Sequence, residues 1–144
     1  MGDRVVREFS AGGVCVRRIE GRDHVAAIRV KGGEVLALPK GGIEPGEEPP
    51  ETARREVREE AGVDGEVVQK LGDVEYWYAR REGTRVFKTV AFYLLRYISG
   101  DVADHDHEVD SAEWVPLDNA EGLLQYKGEK QMVATARTTL AEAR

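Results

Sequence analysis

Apolar positions in this chain fall into short stretches broken by glycine, and their period changes along the sequence. Between Ala11 and Leu38, "AGGVCV", "HVAAIRV" and "EVLAL" are rich in β-branched and small apolar residues and read as strands. "IEGRD" and "KGGE" read as the turns between them, so these three elements are predicted to be antiparallel. A Gly/Pro-rich loop follows. Pro49 and Pro50 are tolerated only in the first turn of a helix, which predicts a helix from there to about Ala61, ended by Gly62. "EVVQKLGDVEYWYA" and "RVFKTVAFYLLRYI" are two long β-rich segments around the hairpin turn "RREGT". "SAEWVPL" is a further short strand after an acidic, histidine-containing loop. From Asp118 onward the residues are helical throughout, punctuated by Gly122 and Gly128, with Met132, Val133, Ala136 and Leu140 at helical spacing. Strands first and last, one helix between and one at the end, predict an α+β fold of the α/β/α sandwich type, not a doubly wound parallel sheet.

Length and charge narrow the possibilities. The 144 residues fit one domain, 1–144, large enough to bury a core. No apolar run approaches the ~20 residues that span a bilayer, and "MGDRVVREF" is charged where a signal peptide would be apolar. Gly2 lacks the Ser or Thr of a myristoylation signal, because Val6 stands there. The reading is a cytoplasmic protein without a membrane partner. Cys15, the only cysteine, lies in an apolar stretch and is expected to pack as a small hydrophobe. A net charge of -6 argues against bulk duplex nucleic acid as a partner, since that requires a broad basic surface. Lys40, Arg80, Arg81, Arg85 and Lys88 can still attract phosphate locally.

The chemistry concentrates in "LPKGGIEPGEEPPETARREVREEAGV", Leu38 to Val63. On the expected helix Glu56, Glu59 and Glu60 fall within an arc of roughly 100°, with Ala53 and Val57 on the adjoining apolar side and Arg54 and Arg58 opposite. Like charges at this spacing repel, so something positive belongs on that face. Arg55 is one candidate, but one guanidinium cannot neutralise three carboxylates. A hard divalent cation can, and Mg²⁺ takes one or two carboxylates while keeping waters and phosphate oxygens. Ahead of the helix, "KGGIEPGE" offers glycines that let backbone approach a phosphate and a lysine at the loop edge.

These positions resemble the Nudix box: Gly, five residues, Glu, seven residues, Arg-Glu, an aliphatic, one residue, Glu-Glu, one residue, Gly, an aliphatic. Gly41, Glu47, Arg55, Glu56, Val57, Glu59, Glu60, Gly62 and Val63 fill it without departure. The resemblance implies a Nudix-type α/β/α sandwich with a mixed central sheet and hydrolysis of a nucleoside diphosphate linked to another group, with Mg²⁺ or, in its place, Mn²⁺. By position, Glu56, Glu59 and Glu60 become metal ligands joined by the Gly41 carbonyl, Arg55 orients the glutamates, and Glu47 braces the loop against the helix.

Outside the box, "LPKGG", "HEVDSAEW", "LLQYKGEK" and "FKTVAFYLL" resemble the asymmetric diadenosine tetraphosphate hydrolases and related dinucleoside polyphosphate hydrolases. That likeness implies Lys40 and Lys88 as phosphate contacts, and Glu108, beside His107, as a further metal ligand or base. The subfamily commonly has His after "PKG", where this chain has Gly42. A substrate base needs a stacking surface, for which Tyr78 and Tyr126 are nominated, with one side of "EYWYA" expected to be core. Arg85 is a further candidate substrate contact. His105 and His24 are expected at the surface. The expected substrate is a small nucleotide, most of all a dinucleoside polyphosphate, and the protein a monomer or homodimer. Nucleoside triphosphate, RNA 5′-end and diphosphoinositol polyphosphate pyrophosphohydrolases are the alternatives with the same chemistry, and a non-catalytic nucleotide sensor is the alternative without it.

Overall fold

A computed structural model describes residues 4–144, so Gly2 lies outside the described residues. The elements, in order, are β1 (Val5–Ile19), β2 (Arg22–Val30), β3 (Val35–Ala37), β4 (Lys40–Gly42), α1 (Pro49–Ala61), β5 (Val63–Ala79), β6 (Arg85–Gly100), a 3₁₀ turn (Val102–Asp104), β7 (Ser111–Pro116), α2 (Leu117–Leu123) and α3 (Lys127–Glu142). β1 to β3 pair antiparallel as expected. The sheet runs β3-β2-β1-β6-β5, with β4 on β1 and β7 on β2. Because β1 and β6 are parallel while the other pairs are antiparallel, the sheet is mixed. The fold is α+β, as the order of elements predicted.

Both faces of the sheet are covered, which explains why its central strands are apolar without alternation. Val14, Val16, Val25, Ala27, Val90, Phe92 and Leu94 point to one side, where Met132, Val133 and Ala136 of α3 complete the core. Cys15, Ala26, Ile28 and Leu95 point to the other, against Val57 and Ala61 of α1. Cys15 is fully buried, as expected, and burial pushes its thiol up to about 12, leaving it an inert packing residue.

α1 runs between the predicted limits. The Glu51 carboxylate accepts the Glu48 N–H at its start, at 3.0 Å. At its end Gly62 adopts φ 78° and donates its N–H to the Arg58 carbonyl, so β5 can begin at the next residue. The C-terminal region departs from expectation. Its helix breaks at 124–126, where Leu124 is buried and the Gln125 N–H is donated to the Leu36 carbonyl, and both glycines sit inside helices. Gly128 is there for proximity: a Cβ would lie 2.4 Å from Val74 Cγ1, so the start of α3 can rest directly on β5.

Gly62→Ala should be costly. Its Cβ would meet the Asp101 carbonyl oxygen at 2.4 Å, and the left-handed backbone disfavours any side chain. Urea unfolding should show a loss of more than about 1 kcal/mol.

Candidate active site

The carboxylates of α1 are held in place by one side chain. Arg55 donates through Nε to Glu47 Oε2 at 2.7 Å, through Nη1 to Glu56 Oε1 at 2.7 Å and Glu59 Oε2 at 3.2 Å, and through Nη2 to the Gly42 carbonyl at 3.0 Å. Helical spacing brings Glu59 to it; Glu47 comes from the loop, where the Thr52 hydroxyl also donates to it at 2.6 Å. These bonds hold the Glu47 carboxyl at about 2, far below the ordinary 4.5.

Glu56 and Glu60 experience the opposite. Burial pushes the Glu56 pKa up, more than the adjacent Arg55 charge lowers it, and neighbouring Glu59 adds repulsion. Burial likewise raises Glu60 to about 7; the Lys40 N–H, donated to its Oε1 at 2.8 Å, opposes this, while the Glu56 and Asp106 charges add to it. Gly41 makes this crowding possible. A Cβ there would lie 1.8 Å from Glu56 Oε2, so only glycine lets the carboxylate rest against β4.

Among the described residues no three His, Cys, Asp or Glu side chains form a ready-made metal cage. Arg55 stands among the carboxylates and draws Glu56 and Glu59 to itself. The donor set nevertheless fits a hard cation: carboxylate oxygens from Glu56, Glu59 and Glu60, two of them desolvated and short of positive charge, beside a bare backbone at Gly41.

Glu108 is exposed on the loop before β7, and its N–H is donated to Asp106 Oδ1. On the same loop Asp106 donates its N–H to the Glu59 carbonyl at 2.9 Å, and its charge acts on Glu60. His105 is half-buried, not exposed, with Nδ1 2.7 Å from the Asp106 carbonyl oxygen.

Next to the box, between β5, β6 and the start of α3, lies a cavity of about 620 Å³ lined by Lys40, Tyr76, Val90, Phe92, Tyr126 and Glu129, among others. Lys40 and Tyr126 thus share one cavity, with Lys40 Nζ 5.3 Å from the Tyr126 ring centroid. Tyr78 is displaced by one strand repeat: its hydroxyl bonds Glu8, which also pairs with Arg80 at 2.6 Å, and Tyr76 takes the place on the wall. Lys88 is half-buried just beyond the lining, opposite Tyr76 and Glu8 in the strand register. Arg85 points to the other side of the sheet, its guanidinium 4.8 Å from the Trp77 ring centroid. Neither side of "EYWYA" is core, because β5 and β6 run past the helices: Tyr76, Trp77 and Tyr78 are 39, 52 and 37 % exposed.

Glu129 was missed. It is 3 % exposed and accepts from the Leu38 N–H at 2.8 Å and from Lys40 Nζ at 3.2 Å. Burial raises its pKa, and the Lys40 charge partly offsets this. Its signal was a glutamate in the first turn of a helix, three residues after Tyr126. A second cleft, of about 590 Å³ between the start of β2, α2 and α3, is crossed by the pairs Arg22–Asp118, Arg137–Glu121 and Arg144–Asp23 and holds none of these groups.

Comparison with known proteins agrees with the geometry. The family description "NUDIX domain" matches residues 7–137. This chain belongs to the NUDIX family. The protein named as mutator protein MutT4 in Mycobacterium tuberculosis is 43% identical over 139 residues, covering 92% of this NUDIX chain and 56% of that protein. The asymmetrical bis(5′-nucleosyl)-tetraphosphatase of Sus scrofa is 36% identical over 105 residues, 66% of this chain and 65% of that one. The NUDIX chain thus spans little more than half the length of the Mycobacterium relative, and 28% of the 8-oxo-(d)GTP phosphatase of Mycolicibacterium smegmatis, to which it is 35% identical over 97 residues. Among solved structures, a C. elegans Ap4A hydrolase binary complex superposes with a TM-score of 0.74 at 22% identity, covering 94% of this chain and 98% of that one, which is a likeness of fold. No helix of the described residues is long and apolar enough to cross a membrane.

Arg55→Ala should cost about 2–3 kcal/mol in urea unfolding, because its side chain and those of Glu47 and Glu56 are only 16, 14 and 12 % exposed and three carboxylates lose their partner. Acid should reveal the same pairing. With a folded pKa of about 2 against an ordinary 4.5, the stability Glu47 contributes is complete above about pH 4.5 and disappears as the pH falls to about 2. Unfolding curves across that window should flatten in the Arg55→Ala variant.

Proposed function

We propose that this NUDIX domain is a Mg²⁺-dependent pyrophosphohydrolase of nucleoside diphosphate-linked substrates, above all of a dinucleoside polyphosphate such as diadenosine tetraphosphate, giving ATP and AMP. The observation that carries the reading is the junction at Lys40. Its N–H holds Glu60 of the box, and its ammonium lies on the wall of the cavity beside Tyr126. Glu56, Glu59 and Glu60, with the Gly41 carbonyl, would hold the metal, which when bound supplies charge neutralisation for phosphate oxygens and acidifies a water.

The chain's own residues perform the rest. Arg55 keeps Glu56 and Glu59 oriented and, with Glu47, ties the loop to the helix. The Lys40 ammonium attracts a phosphate, and Tyr76 and Tyr126 offer ring faces to a base. Lys88, one register step away, extends the positive charge along the sheet.

The charged lining of the cavity is mixed, Lys40 and Lys127 against Asp73, Glu75 and Glu129, so neutralising a polyphosphate would fall to the metal and these two lysines. Hydrolysis of a damaged nucleoside triphosphate is the second reading, favoured by the likeness to the 8-oxo-(d)GTP phosphatase.

Incubation with diadenosine tetraphosphate and Mg²⁺, resolved by anion exchange beside an EDTA control, should give ATP and AMP only with metal. Pyrophosphate and a nucleoside monophosphate from 8-oxo-dGTP alone would move the assignment to the second reading, and no turnover of either would refute both substrates and leave the RNA 5′-end and diphosphoinositol polyphosphate readings to be assayed in the same way. Glu59→Gln should keep the fold and lower kcat by roughly a hundredfold or more.

A further inference from the structure

Glu129 is the most deeply buried carboxylate among the described residues, and nothing in the hydrolytic reading uses it directly. It stands third in α3, where free backbone N–H groups favour negative charge. Its two oxygens are spent on one short segment of chain: Oε1 accepts the Leu38 N–H and Oε2 accepts Lys40 Nζ. The Lys40 N–H goes the other way, to Glu60 Oε1 on α1. Leu38 to Lys40 is therefore held from both sides, by α3 through Glu129 and by α1 through Glu60.

A buried ion pair seldom stabilises a fold more than apolar side chains of the same volume would. What it supplies is direction. Lys40 has a flexible four-carbon stem whose ammonium would otherwise sample many positions. Against Glu129 it is fixed 3.2 Å from one oxygen and 5.3 Å from the Tyr126 ring centroid. Tyr126 immediately precedes α3, so a single helix start places both the ring and the carboxylate.

We infer that Glu129 is a positioning residue that acts through Lys40, aiming the ammonium between the cavity and the box so that a substrate phosphate meets it beside Glu60. The inference rests on the reading of this site as a phosphate-cleaving centre. Glu129 touches no substrate in this account. Its charge partly compensates Lys40, which makes the lysine a directional contact and not a general attractor of anions.

A double-mutant cycle tests it, with Glu129→Gln, Lys40→Met and the double variant, read both as kcat/KM on the better substrate and as the Kd for ADP with Mg²⁺. Glutamine keeps an acceptor for the Leu38 N–H and removes the charge. Glu129→Gln should lower kcat/KM by about tenfold in the natural background, and by less than about twofold where Lys40 is already methionine. Equal losses in the two backgrounds, or no loss in the first, would overturn the proposal. If Glu129→Gln does not fold by thermal melt, Glu129→Asp, which keeps the charge and shortens the reach, replaces it in the same cycle. A coupled effect on ADP binding without turnover would uphold the positioning and refute the hydrolase reading. Turnover with additive losses would do the reverse, and neither turnover nor ADP binding in the natural protein would refute both.

Discussion

The Arg55 guanidinium holds together carboxylates that would otherwise drive the site apart. Glu47, Glu56 and Glu59 come from a loop and two positions on α1, and each bonds to the same planar group. A lysine could not replace it, since a point charge has no fork of fixed donors to share among three acceptors and the Gly42 carbonyl. The loop, the helix and β4 are tied at one atom cluster, and the local geometry of the box follows from that knot. Glu56 and Glu60 keep raised pKa values all the same, because burial outweighs the Arg55 charge beside the first and the Lys40 N–H that bonds the second.

The second junction lies at Lys40, where the two layers of helix communicate through the sheet. α1 reaches the residue by Glu60 and its backbone N–H, α3 by Glu129 and its ammonium. The cavity and the carboxylate cluster therefore share a rigid wall three residues long. Gly41 and Gly128 permit the close approach on either side: the first admits Glu56 against β4, the second lets α3 settle on Val74. Burial of Glu129 is tolerable because the helix start and the Lys40 ammonium both offset it.

Much of this was legible from local rules. The prolines and Gly62 marked the ends of α1, helical spacing put three glutamates on one face, and apolar stretches between turns gave β1 to β3. Rules of that kind failed where long-range contact decided the outcome. Gly128 read as a helix break because glycine is a poor helix former, yet it lies within α3 because Val74 occupies the space a Cβ would need. Tyr78 and Tyr76 are equivalent in an alternating strand, and only the Glu8 carboxylate, seventy residues distant, separates them by engaging Tyr78.

The sequence by itself determined the box, its helix, its loop and the identity of the oxygen-rich donor set, because these depend on spacings within about twenty consecutive residues and on backbone preferences that act locally. Tertiary structure alone decided what surrounds them. Glu129 reaches Lys40 across 89 residues, the Asp106 N–H ties its loop to the Glu59 carbonyl, and Arg85 turns to the far side of the sheet with Trp77. Each of those outcomes depends on which strands become neighbours and how helices pack on them, and no periodicity within a segment encodes the position of a partner in another.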